Sequence, residues 1–160
     1  MMAGKWFDEL EVGQVFKHSI RRTLTETDNI LFTSMTHNPA QLHLDADYCE
    51  KHTEFGRPLI NSYFTLGLVV GISVGDTTLG TAVANLGMDK VRFPKPLFAG
   101  DTIHVETEII ALRESKSPPM QGIVPLSTAH LIKKTSLSPR LSVVACNIKN
   151  RSVNPHSFSP

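Results

Sequence analysis

The sequence predicts an α+β domain in which one long buried helix packs against an antiparallel sheet. Three observations lead there. The segment "SYFTLGLVVGISVG", residues 62–75, is the most apolar of the chain, and its apolar residues cover every face of a helix. After Gly80 the texture turns β-branched: Ile103, Val105, Thr107 and Ile109 alternate with His104, Glu106 and Glu108, a period of two. The strand-like segments also gather after the helical ones instead of alternating with them, which is the α+β pattern. A chain of 160 residues is long enough for a single core. We take residues 1–152 as one domain and expect residues 153–160 to be a disordered tail.

Taken in order, "FDELEVGQVF" reads as a turn at Gly13 leading into a first strand, which "VFKHSIRRTL" continues with imperfect alternation. "TETDNILFTSMTHN" reads as a helix. Thr25 can cap it, Asp28 occupies the capping-box position, and Ile30, Leu31 and Phe32 offer an apolar face. Pro39 lies just beyond its end. "DADYCEKH" is a second, short helix with Asp45 as N-cap, followed by the loop "EFGRPLIN". The long apolar helix comes next, capped by Ser62 or Asn61. Gly67 and Gly71 lie four apart on one of its faces, and close approach to a sheet would account for them. "TAVANLGMDKVRF" and "DTIHVETEIIALRES" are strands joined by the proline-bearing "FPKPLFAGD". "SKSPPMQG" is a loop. "STAHLIKK" and "RLSVVACNIKNRSV" are two further strands with the turn "TSLSP" between them. Such a sheet would leave one edge available to a second subunit.

Composition excludes several classes. Net charge is +1, with 41% hydrophobic and 19% charged residues, so nothing draws the chain to nucleic acid or to a membrane surface by charge. No apolar run is long enough to span a bilayer, and "MMAGKWFDEL" lacks the apolar stretch of a signal peptide. Cys49 and Cys146 make neither a disulfide framework nor a metal spacing. A cytoplasmic setting is expected.

The stretch "MTHNPAQLHLDADY", residues 35–48, concentrates the candidates for chemistry. His43 can give and take protons near neutral pH, although a loop histidine also serves simply to bond a backbone group. Asn38 precedes it by five positions, a spacing that lets both side chains face one pocket across a turn. An amide can orient water and donate to a developing oxygen charge, but it also ends helices. Asp45 is read as a cap, and His37 as a solvated helix end. Asn61 and Ser62 open the long helix, whose free N–H groups form an oxyanion site if a carbonyl is brought to them. Arg57, Arg92, Lys95 and Lys116 are cations near loops. The chain has no glycine-rich phosphate loop and no His-x-x-x-His pair.

Three motifs in order, "NPAQLHLDADY", "FGRPLINSYFTLGL" and "VRFPKPLFAGDTIHVETEII", resemble the MaoC-like (R)-specific enoyl-CoA hydratases and dehydratases, which have the hot-dog fold. The similarity runs from Phe7 to Leu112 and weakens after Ser117. In that family the loop usually reads D-x-N-P-x-H-x-D, with the aspartate and histidine as catalytic pair. On this chain the histidine is His43, the final aspartate is Asp45, and Asn38 stands where the catalytic aspartate would be. A branch linked to C5 dicarboxylyl-CoA thioesters, mesaconyl-CoA or itaconyl-CoA, is more similar still: "MTHNPAQLHLD", "RPLINSYFTLGL" and "RESKS" match its motifs.

The resemblance implies a hydro-lyase with His43 as acid/base and Asn38 positioning water. It implies substrate contacts from Asn61, Ser62, Gln41 and Arg92, and a homodimer with its long helices side by side. It implies no metal and no redox cofactor. A substrate that brings its own carboxylate would account for the asparagine. The competing readings are a hydratase of straight-chain enoyl-CoA or acyl-carrier-protein thioesters, and a non-catalytic acyl-CoA-binding subunit.

Overall fold

The computed structural model describes residues 4–115, 121–132 and 142–149. The tail and the "TSLSP" turn lie outside them. Within them the chain forms strand β1 (Val15–Thr23), helices α1 (Glu26–Met35), α2 (Gln41–Leu44), α3 (Ala46–His52) and α4 (Ser62–Thr77), and strands β2 (Ala82–Asp89), β3 (Thr102–Ile109), β4 (Arg113–Glu114), β5 (Gln121–Ile132) and β6 (Ser142–Lys149). One sheet runs β1-β3-β5-β6-β2, with β4 pairing to β5, and every pairing is antiparallel. Helix α4 packs on β1, β3 and β5. This is the α+β architecture expected from the pattern of segments.

Strand β3 carries the alternation seen in the sequence. Ile103, Val105, Thr107 and Ile109 are buried and their neighbours half-buried. Two apolar clusters fill the space beneath α4. One joins Leu24, Ile60, Val69, Ile72 and Leu97 to Ile103 and Val105. The other joins Leu10, Ile109, Val124, Leu126 and Ile148. Burial of such side chains is the main favourable term holding helix to sheet, at about 1.5–3 kcal/mol for each large one.

The far end of α4 is tied down by a polar contact. His18 of β1 bonds through Nδ1 to the Asp76 carboxylate at 2.7 Å and through Nε2 to the Thr107 hydroxyl at 2.8 Å. His18 is the one buried residue of β1. A register shift between Lys17 and Arg21 explains the imperfect alternation read in this strand.

Three details differ from expectation. Helix α4 is not covered on every side: Tyr63, Gly67 and Gly71 are exposed, and a Cβ added to either glycine would meet nothing within 4 Å. The glycines therefore face away from the sheet, whose side is taken by Leu66, Val69 and Ile72. Helix α1 buries Asn29 and Thr33, whereas Ile30 and Leu31 are exposed and Phe32 is half-buried against the Phe64 ring. Strand β5 starts at Gln121, earlier than the segment "STAHLIKK", and carries Pro125 within it.

Candidate active site

The capping residues place the loop. Thr25 and Asp28 form the expected capping box at the start of α1. The helix ends at Met35, and His37 takes a left-handed backbone with φ of 52°. Non-glycine residues are uncommon there; His37 is exposed just past the helix, the solvated helix end its position suggests. The Asn38 side-chain oxygen accepts the Ala40 N–H at 3.0 Å and fastens the turn that starts α2. Helix α2, a single turn not foreseen in the sequence, carries His43. Asp45 caps α3 by accepting the Tyr48 N–H at 2.8 Å, as its sequence position suggested.

His43 lies along the segment that leads into α4. Its Nδ1 is 2.9 Å from the Leu59 carbonyl. A carbonyl oxygen only accepts, so Nδ1 carries the proton and, in the neutral ring, Nε2 holds the lone pair. The orientation and tautomer of the imidazole are thereby fixed by one backbone contact.

That segment is held by a residue the sequence reading missed. Asn29 is 2% exposed and makes three bonds. Its amide nitrogen donates to the His43 carbonyl at 2.8 Å and the Leu59 carbonyl at 2.9 Å, while its oxygen accepts the Asn61 N–H at 2.8 Å. It thus joins α1, α2 and the start of α4 at one point. Leu59 N–H donates to Leu42 O, and Ile60 N–H to Leu97 O, completing the anchorage. The signal available in sequence was an asparagine in a helix interior, where its amide is disfavoured unless bonded.

Asn61 is the N-cap of α4, accepting the Tyr63 N–H at 3.0 Å and donating to Thr33 Oγ1 at 3.3 Å. Of the two caps read in the sequence, the structure uses Asn61. Ser62 is then the first helical residue. Its N–H has no acceptor among the described residues and sits at the positive end of a 16-residue helix.

His43 lines two cavities. The larger, about 380 Å³, is walled by Leu42, Phe55, Leu59, Phe93 and Leu97, and it holds Ser62 and Lys95 as well as His43. The smaller, about 190 Å³, holds Glu26, Asn29 and Arg57. The structure therefore brings His43 and Ser62 to one cavity. Asn38, Gln41, Asn61 and Arg92 line neither; Gln41 and Arg92 are exposed, Asn38 is half-buried and Asn61 is buried as the cap. Buried Cys49 points its thiol at the Leu42 carbonyl, 3.4 Å away. Burial first, and the Asp45 carboxylate second, raise that thiol above its ordinary range, which disfavours the thiolate. Among the described residues no cluster of histidine, cysteine and carboxylate groups could hold a metal ion. No described helix is long and apolar enough to cross a membrane.

An imidazole with a fixed lone pair that shares a cavity with the first residue of a helix can take a proton from water while a carbonyl is polarised by the helix-start N–H. Residues 8–128 match the family model described as a MaoC like domain. The chain is 32% identical over 113 residues to the β-methylmalyl-CoA dehydratase of Chloroflexus aurantiacus, covering 71% of this chain and 32% of that one. It is 32% identical over 117 residues to the mesaconyl-CoA hydratase of Cereibacter sphaeroides, covering 72% of this chain and 33% of that one. The chain thus spans about a third of the length of these two curated relatives. A Mycobacterium tuberculosis protein described as a double hot-dog fold superposes with a TM-score of 0.79 at 28% identity, covering 98% of this chain and 46% of that one.

Proposed function

The chain belongs to the MaoC-like family, and from that premise we propose that it is a hydro-lyase adding water to, or removing it from, a short enoyl-CoA thioester. The observation that carries the proposal is the His43 Nδ1–H bond to Leu59 O, which leaves Nε2 as the lone pair on a residue sharing a cavity with Ser62.

In hydration the thioester oxygen accepts from the Ser62 N–H, which polarises the Cα=Cβ bond. His43 Nε2 takes a proton from water as the oxygen bonds to Cβ. The π electrons move to Cα and the carbonyl, giving an enolate held at the helix start. His43 then returns the proton to Cα. One group serving both proton transfers delivers H and OH to the same face. Asn38 commits its oxygen to Ala40 and lines neither cavity, so its role in orienting the water rests on the motif alone.

For the substrate we favour a branched C5 dicarboxylyl-CoA such as mesaconyl-CoA or itaconyl-CoA. The names of the two relatives support this class, as do the motifs quoted above. We further propose a homodimer. The exposed face of α4 and the exposed edge strand β2, with Val83, Leu86 and Met88 in the open, support it. Sedimentation of the purified chain tests that.

Asn38 in place of a carboxylate favours a second reading, a non-catalytic acyl-CoA-binding subunit. Turnover separates the two. Hydration of mesaconyl-CoA, followed by product mass, supports the enzyme. CoA-ester binding with no turnover on mesaconyl-, itaconyl-, crotonyl- or a longer enoyl-CoA supports the binding subunit.

A further inference from the structure

We infer that Arg57 holds the second carboxylate of the substrate, in the smaller cavity on the far side of His43. The inference rests on the hydratase reading of the site and names the residue that selects the acyl group.

The geometry sets the order of groups. Ser62 lies in the larger cavity only, Arg57 in the smaller only, and His43 in both. If the thioester carbonyl rests on Ser62 and the β-carbon meets His43, a substituent on the β-carbon is directed past His43. In mesaconyl-CoA that substituent is the free carboxylate. The charged donor beyond His43 is Arg57.

Arg57 is prepared for this contact. Its guanidinium carbon lies 3.9 Å from the centre of the Phe98 ring. Stacking takes up the face of the guanidinium and leaves its edge donors for a planar, bidentate anion. Phe98 is itself placed: its N–H donates to the Asp101 carboxylate at 2.9 Å, and its ring lies 6.3 Å from that of Phe55. The neighbouring Ile60–Leu97 bond ties the Arg57 segment to the Phe98 segment. Among the described residues no carboxylate pairs with Arg57.

Glu26 lines the same cavity without reaching ion-pair distance of Arg57. It sits in the first turn of α1, where the helix end favours negative charge. Its repulsion leaves the Arg57 edge as the favourable place for an incoming carboxylate and disfavours looser binding elsewhere in the cavity.

The test measures binding by calorimetry, with two saturated esters that cannot react. Succinyl-CoA carries a carboxylate on its β-carbon and butyryl-CoA a methyl. The wild type should bind succinyl-CoA more tightly. Arg57→Gln should weaken succinyl-CoA by roughly tenfold or more, the range of a charge-assisted bond, and leave butyryl-CoA within about twofold. Glu26→Gln should sharpen the preference for succinyl-CoA. Equal weakening of both esters by Arg57→Gln would mean that Arg57 meets a CoA phosphate, and would overturn the inference. So would an unchanged preference in Arg57→Gln, or a reduced one in Glu26→Gln. Failure of the wild type to bind either ester would instead sink the hydratase reading, and the inference with it.

Discussion

Replacing Asn29 by aspartate changes one NH₂ group into an oxygen and leaves the shape of the side chain nearly intact. In the native protein that NH₂ donates to two half-buried carbonyls, His43 O and Leu59 O, while the side-chain oxygen takes the Asn61 N–H. The variant keeps the third bond and loses the first two. Each lost bond costs about 1 kcal/mol net, and an orphaned buried carbonyl adds about 1–3 kcal/mol where water cannot reach it. The carboxylate would also face both carbonyl oxygens. We therefore expect Asn29→Asp to lower stability by about 3–5 kcal/mol in urea unfolding. Asn29→Ala should do the same within about 1 kcal/mol, because it removes all three bonds but adds no charge. The consequence reaches the site, since Leu59 O also fixes the His43 ring. Hydratase kcat should fall roughly a hundredfold in protein that is still folded, as displacement of a catalytic group does. A loss below about 1 kcal/mol for both variants, with kcat unchanged, would refute the claim that Asn29 joins α1, α2 and α4 at the site.

Other outcomes follow from the same geometry. Ser62→Pro removes the proposed oxyanion donor at the first helical position, where proline is tolerated and where the ψ of 126° at Asn61 keeps it out of the helical region that a following proline disfavours. It should lower kcat by about 10²–10³ with thermal stability unchanged, and an unchanged kcat would exclude that N–H. Asn38→Asp should not raise turnover of a dicarboxylyl-CoA, because the new charge would sit near an anionic substrate; a clear gain in kcat/KM would end the account given for the asparagine. The Cys49 thiol is raised above its ordinary value of 9.0. The stability it contributes is therefore fully present below the unfolded value and lost as pH rises through the folded one. Cys49→Ala should flatten the alkaline fall of stability above about pH 9, measured by denaturant titration.

Much of this was legible in the residues. The period of two in Ile103–Ile109 named the core face of β3, and Thr25, Asp28 and Asp45 named their own caps, because these signals depend on near neighbours. The motif around His43 pointed to the segment that lines both cavities. What stayed hidden depends on contacts distant in sequence. Asn29 bonds to residues 14, 30 and 32 positions away, so its helix-interior position hints at a bonded amide but not at its partners. The apolar Ile30 and Leu31 drew the buried face of α1 to the wrong side, since that face is chosen by carbonyls needing donors and not by hydrophobicity. Gly67 and Gly71 marked one face of α4 correctly but not what lies opposite it. The pairing of Arg57 with Phe98, 41 positions on, was equally out of reach.

The central claim is that His43 works as the acid/base of an enoyl-CoA hydratase. The direct measurement is product mass from mesaconyl-CoA and crotonyl-CoA incubated with the wild type and with His43→Ala. The account predicts addition of one water to mesaconyl-CoA by the wild type and loss of at least about a hundredfold in rate in the variant, with CoA-ester binding retained. Hydration at the wild-type rate by His43→Ala would contradict it.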